Sequence, residues 1–175
     1  MSVELNIREA KPEDAAQIAE VHIRSWRQAY KGVVHQSYLD NGLNVNEHTK
    51  RWREGLNKNR KGTFLAFNGA VLAGFVTVGP SRNRKCSDYG ELYAIYLDPD
   101  YFGKGIGKTL FQSALEYAVA QGLKKMFVNV LTDNKMGRNF YERMGAVPIE
   151  NSEEELTIDG QLYLEMKYEW RKLKL

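Results

Sequence analysis

The sequence predicts an α/β (α+β) fold, with a mixed central sheet and helices on both of its faces. Three observations predict it. Strand-like and helix-like patterns follow one another in the order β-α-α-β-β-β-α-β-α-β-β, with no linker or internal repeat. Two turn pairs, Asn68-Gly69 and Asp159-Gly160, each separate apolar runs and mark hairpins. A strand-like run from Glu91 to Leu97 passes through Asp98-Pro99-Asp100 into a glycine-rich loop that opens a helical pattern.

Each element has its own signal. Val3, Leu5 and Ile7 alternate as a first strand. Pro12-Glu13-Asp14 places a proline and two acids in the first turn of a helix whose apolar face carries Ala15, Ile18, Ala19, His22, Trp26, Ala29 and Tyr30. After a loop with Tyr38 and Leu39, a second helix covers Asn46 to Leu56. Thr63 to Phe67 and Val71 to Val78 are the arms of the first hairpin. The helix after the glycine loop repeats Leu110, Ala114, Leu115 and Ala118 and stops near Gly122. Met126 to Leu131 is a strand, and a helix from Asn134 ends at Gly145. Leu156-Thr157-Ile158 and Leu162 to Met166 form the second hairpin.

Composition fits one ordinary domain over residues 1–175, with 43% hydrophobic and 27% charged residues. A chain of this length buries roughly 70% of its unfolded surface. The net charge of +3 is mild, and the basic clusters at Lys50–Arg53, Lys58–Lys61 and Arg82–Lys85 read as solvated faces or loops. A nucleic-acid-binding role would use those clusters, but no reading motif accompanies them. The lone Cys86 excludes an internal disulfide and a cysteine metal site, and no metal is expected. No leader and no apolar run of ~18 residues is present, so the expectation is the cytoplasm and no membrane partner.

The loop Gly103-Lys104-Gly105-Ile106-Gly107-Lys108 is suited to a pyrophosphate. Its glycines let a ligand approach the backbone, and the first N–H groups of the following helix point at an anion together with the positive end of the dipole. A glycine turn without a ligand is the alternative. The spacing excludes a P-loop, which needs glycine where Phe102 stands, and a dinucleotide fingerprint, which needs glycine where Lys108 stands.

The pattern Arg/Gln-x-x-Gly-x-Gly/Ala at a strand-to-helix junction falls on Phe102 to Gly107, with Phe102 departing at its first position. Asn134-Lys135-Met136-Gly137-Arg138-Asn139-Phe140-Tyr141-Glu142-Arg143-Met144-Gly145 follows about thirty residues later. Together these motifs resemble the GNAT superfamily of acetyl-CoA-dependent N-acetyltransferases. The resemblance implies a mostly antiparallel sheet in which the strand before the loop and the strand after the helix splay apart. It implies acetyl-CoA as donor, with its pantetheine arm along Ile95, Tyr96 and Leu97 and its pyrophosphate on the loop from Phe102 to Lys108. Asn134 would contact the cofactor, or cap its helix, or both. Tyr141 would protonate the departing thiolate; its alternative is packing.

Glu91, fourteen residues before Gly105, is the candidate general base or ammonium anchor, against a solvated acid near the strand start. His22 is the second candidate base, against a satisfied core histidine, and water is a third. Ser25 to Gly32 resembles a bacterial subgroup that includes polyamine acetyltransferases. Trp26, Tyr30 and Tyr38 with Tyr93, Tyr96 and Glu91 would then form an aromatic, acidic pocket for a cation; the alternative is that Trp26 and Tyr30 are core. A small-molecule amine is expected over a protein as acceptor. Polyamine, amino sugar, amino acid and protein N-terminus stay open, as do a homodimer, a non-catalytic CoA-binding domain and a nucleotide-binding protein.

Overall fold

The computed structural model describes residues 5–58, 62–82 and 88–175. Val3 and Cys86, and much of the basic clusters around 58–61 and 82–85, lie outside the described residues.

β1 (Leu5–Glu9), β2 (Thr63–Asn68), β3 (Val71–Pro80) and β4 (Tyr89–Leu97) form an antiparallel half-sheet in that order. β4 joins β5 (Lys125–Leu131) in parallel, and β5 pairs antiparallel with β8 (Gln161–Trp170). On its other edge β8 pairs with the short β6 (Val147–Pro148) and with β7 (Glu154–Ile158). So one parallel contact sits in an otherwise antiparallel sheet. The two-residue β6 is the one strand beyond the expected order; it has too few residues to show an alternation. Both expected hairpins form. In the second, Asp159 (φ 50°) and Gly160 (φ 73°) have the paired positive φ of the turn that matches strand twist.

The helices divide between the faces. α1 (Ala15–Ala29) and α2 (Val45–Asn57) cover one: Ile18, Val21 and Leu56 pack with Leu65, Phe67, Leu72 and Phe75. A single turn of 3₁₀ helix, Pro12–Asp14, leads into α1, and the Asp14 carboxylate takes Arg8 from β1 (2.7 Å) and the Lys11 amide (2.7 Å). α3 (Ile106–Ala120) and α4 (Lys135–Arg143) cover the other face. There Ile106, Leu110, Ala114 and Tyr141 pack with Val76, Leu92, Met126, Val128 and Tyr168. A third cluster joins Ile23, Tyr30 and Leu39 to Leu131 and to Leu156, Ile158 and Tyr163 of the second hairpin. It closes the end of the sheet where β4 and β5 part.

Candidate active site

β4 and β5 are paired only where Tyr89, Gly90 and Glu91 face Lys125, Met126 and Phe127. A bulge drives the separation beyond. Val78 of β3 faces Leu92 and Thr77 faces Ala94, so Tyr93 is an extra residue in β4. An extra residue bends a strand and raises its twist. The β5-facing edge of β4 thus runs from Leu92 to Leu97 without β5 as its partner, and a cavity of about 220 Å³ lies in the gap.

The glycine loop forms the rim of that cavity. Asp98 anchors it: the Asp98 amide donates to Ala73 O (2.9 Å), and its carboxylate accepts from the Asp100 amide (3.0 Å) and pairs with Arg24 of α1 (3.1 Å). Gly103 (φ 73°) and Gly105 (φ 81°) are both left-handed, and a Cβ built on either meets nothing within 4 Å. The loop needs glycine for its conformation, and the space beside it is open. The Gly105 carbonyl accepts from the Lys108 and Thr109 amides (3.1 and 3.3 Å), starting α3. Helix geometry leaves the Ile106 and Gly107 amides without an acceptor in the helix. Phe102, Gly103 and Gly107 line the cavity, whereas Lys104, Gly105, Ile106 and Lys108 belong to its rim and to the helix start. Phe102 supplies an apolar wall, and the Lys104 ammonium rests over the Tyr101 ring (5.0 Å).

Tyr141 is buried (9% exposed) and lines the cavity. Phe140 and Met144, spaced i and i+4 on α4, are only half-buried, and Tyr141 is the inward residue. Its ring packs against Tyr168 and Trp170 of β8. Burial first, and the neighbouring Tyr96 second, hold its hydroxyl far above the usual phenol range, so it keeps its proton. Tyr30, Tyr96 and Asn134 also face the gap, and the Tyr30 phenol is raised chiefly by burial and then by Tyr96 and Tyr141, with Asn134 acting the other way. Asn134 caps α4, its Oδ1 accepting from the Gly137 amide (2.9 Å). Ile95, Tyr96 and Leu97 line the cavity as a continuous stretch.

Glu91 is placed differently from a solvated acid. It is 3% exposed, and Arg82 engages both of its oxygens: the guanidinium at 2.5 Å and the Arg82 amide at 2.9 Å. Glu91 does not line the cavity, while Tyr93 does, with the Arg82 guanidinium 4.6 Å over its ring and its hydroxyl donating to Pro80 O. His22 is stacked on Tyr96 (4.7 Å between centroids) among Trp26, His48, Trp52 and Phe75. Burial, and then the nearby His48, push it down to about 3, so it is neutral at physiological pH. Trp26 stands behind Tyr30 (4.5 Å) and beside Tyr38 (6.3 Å), outside the cavity lining.

Sequence reasoning missed Ser25 and Asn129, which line the same space. Asn129 carries a visible signal, a polar residue inside the apolar run Met126–Leu131. The assembled site offers a rim of backbone donors for an anion, an open strand edge for an extended chain, and a buried phenol at the point where the two strands diverge.

The model of the acetyltransferase (GNAT) family matches residues 20–146. An uncharacterized N-acetyltransferase, YuaI, of Bacillus subtilis (strain 168) is 38% identical over 132 residues, covering 74% of this chain and 73% of its own. A spermidine N(1)-acetyltransferase of Thermoplasma acidophilum is 28% identical over 149 residues, covering 83% and 88%. Among solved structures, the PaiA N-acetyltransferase of Thermoplasma acidophilum, in complex with coenzyme A, superposes with a TM-score of 0.67 at 23% identity, covering 95% of this chain and 99% of its own.

Proposed function

Since the chain belongs to the acetyltransferase (GNAT) family, we propose that it transfers the acetyl group of acetyl-CoA to a small primary amine, by direct attack in a ternary complex. The observation that carries this reading is the splay of β4 from β5 beyond Glu91 and Phe127, with the glycine loop at its mouth. The residues fit the donor. Open space beside left-handed Gly103 and Gly105, with the amides of Ile106 and Gly107, suits the pyrophosphate. The unpaired edge at Ile95, Tyr96 and Leu97 suits the amides of the pantetheine arm.

Acetyl-CoA supplies a thioester, an acyl group already activated by a good leaving group. The protein adds three things. A β4 amide polarises the carbonyl and stabilises the negative charge that develops on its oxygen. The Tyr141 hydroxyl donates to the sulfur as charge builds there. A phenol held far above its usual range is a weaker acid than a thiol of pKa about 8.5, so its contribution is a hydrogen bond to developing charge rather than complete proton transfer. The apolar walls, with Phe102 and Phe140 among them, keep water from the thioester.

Glu91 is assigned a positioning role: with both oxygens on Arg82, it fixes the guanidinium over Tyr93 at the acceptor side. His22, neutral and enclosed by rings, is a packing residue, and the amine's proton leaves to water. A polyamine is the first acceptor to test. Its support is the spermidine-acetylating relative and the aromatic residues Tyr30, Tyr93 and Tyr96 around the gap. No helix among the described residues is long and apolar enough to cross a membrane, and the proposed setting is the cytoplasm.

The test is a thermal-shift comparison of acetyl-CoA, CoA and Mg-ATP, followed by a thiol-release screen over amines with spermidine first. Stabilisation by both CoA species and thiol release with at least one amine are expected. No shift with either CoA species sinks the reading; a shift without thiol release leaves a CoA-binding domain.

A further inference from the structure

We propose that Asn129 holds the acceptor amine for attack, its Oδ1 accepting an N–H of the neutral amine at the floor of the splay. This rests on the acyl-transfer reading above. Alternation on β5 sends Val128 and Val130 into the core under α3 and α4. Asn129 therefore takes the opposite face, the face of Leu131 and the cluster around Tyr30. It stands two residues beyond Phe127, where pairing with β4 ends, and it lines the cavity. Its Oδ1 is buried without a hydrogen-bond partner among the described residues. A buried acceptor with no donor is unfavourable in the free protein and is relieved by a ligand that brings one.

The surroundings leave that acceptor for the ligand. Lys167, directly across on β8, is committed to Glu154 (2.9 Å), and Glu91 on β4 is committed to Arg82. The uncharged oxygen also matches the chemistry. A primary amine attacks with its lone pair, so its N–H groups remain as donors. A carboxylate at this place would favour the ammonium, which has no lone pair. An amide oxygen accepts an N–H without that bias, and among the described residues no Asp or Glu lines the cavity. In the transfer the N–C bond forms and the C–S bond breaks. The nitrogen loses one proton to water, and the thiolate, hydrogen-bonded to Tyr141, leaves and takes its proton from water. Asn129 accepts no proton at any point.

The test compares Asn129→Leu and Asn129→Ser with the wild type, using whichever of spermidine, lysine, glucosamine and tyramine the wild type acetylates fastest. Asn129→Leu keeps the volume and removes the acceptor. Its melting temperature should be unchanged or higher, because no partner is lost on folding, and its acetyl-CoA affinity should stay within twofold. Its kcat/KM for the amine should fall about tenfold, the size of one lost hydrogen bond. Asn129→Ser, with a shorter acceptor, should fall between the two. A fully active Asn129→Leu overturns the proposal, as does a loss of activity matched by an equal loss of acetyl-CoA affinity or by a lower melting temperature. A wild type that acetylates none of the four amines and no other primary amine sinks the acyl-transfer reading, and this proposal with it.

Discussion

The two ends of β4 are built on opposite plans. At the closed end, Tyr89 to Glu91 pair with β5, and the buried Glu91 carboxylate is met by a guanidinium and an amide of Arg82. At the open end, Leu92 to Leu97 have no β5 partner, a phenol keeps its proton in a cavity, and the Asn129 oxygen has no donor among the described residues. Polar groups at the closed end have their partners within the chain. At the open end the Asn129 oxygen fits a donor supplied by a ligand. One extra residue, Tyr93, separates the two plans, because the bulge turns the strand away from β5. The same element thus serves as sheet at one end and as binding edge at the other.

The largest effect is expected at the open end. Tyr141→Phe removes one hydroxyl and leaves the ring packing on Tyr168 and Trp170. Losing a donor aimed at developing charge lowers kcat by roughly 100-fold. Acetyl-CoA affinity and melting temperature should hardly move, and steady-state kinetics beside a thermal melt checks all three. A Tyr141→Phe enzyme of normal kcat would erase the distinction between the two ends at this residue.

The closed end should answer in stability. Arg82→Met strands the buried Glu91 carboxylate, and among the described residues the amide of residue 82 remains to hold it. Removing one partner from a fully buried pair costs about 3–5 kcal/mol. Arg82 has a side chain 65% open to solvent, so water replaces part of what is lost, and about 2 kcal/mol is expected from denaturant unfolding. Glu91→Gln should lose less, and a normal pH profile of kcat/KM in that variant would agree with a positioning role.

Gly105→Ala comes next, because it touches the rim without touching the core. The added methyl has room, so the cost is the left-handed backbone at φ 81°, about 1 kcal/mol of stability. The methyl also projects into the space assigned to the pyrophosphate, and acetyl-CoA affinity by calorimetry should fall about tenfold. Equal affinity would move the pyrophosphate away from this loop.

Much of this arrangement was legible in the sequence, and the gaps have physical causes. Hairpins, helices and the glycine loop follow from turn chemistry and periodicity, which are local. The position of Asn134 and Tyr141 at the gap followed from the resemblance carried by two motifs. The inward turn of Tyr141 did not follow, because a nine-residue helix gives two turns of periodicity and the packing of β8 decides the rest. The sequence places Arg82 in a solvated basic loop; its bond to Glu91 depends on tertiary placement, which no local pattern encodes. Asn129 stood out as polar in an apolar strand, but its role depends on where pairing with β4 stops.

The smallest effect concerns the backing of the open end, where His22 stacks beneath Tyr96. Burial first, and His48 second, lower its folded pKa to about 3, against about 6.5 in the unfolded chain. Between those values the unfolded chain binds more protons, so stability is fully present above pH 6.5 and is lost as pH falls toward 3. At pH 6 the expected loss relative to pH 8 is about 1 kcal/mol. Asp14, lowered chiefly by its hydrogen bond to Arg8, loses its stabilisation as pH falls from the ordinary carboxylate range through its lowered folded value. Glu165, raised chiefly by burial, acts in the opposite sense as pH rises above its unfolded value, and comparison of the His22 variant with the wild type cancels it. His22→Phe should flatten the slope between pH 8 and pH 6 and preserve the ring stack under Tyr96. A slope that persists in that variant would place the titrating group elsewhere, and the open end of β4 would then rest on a support indifferent to pH.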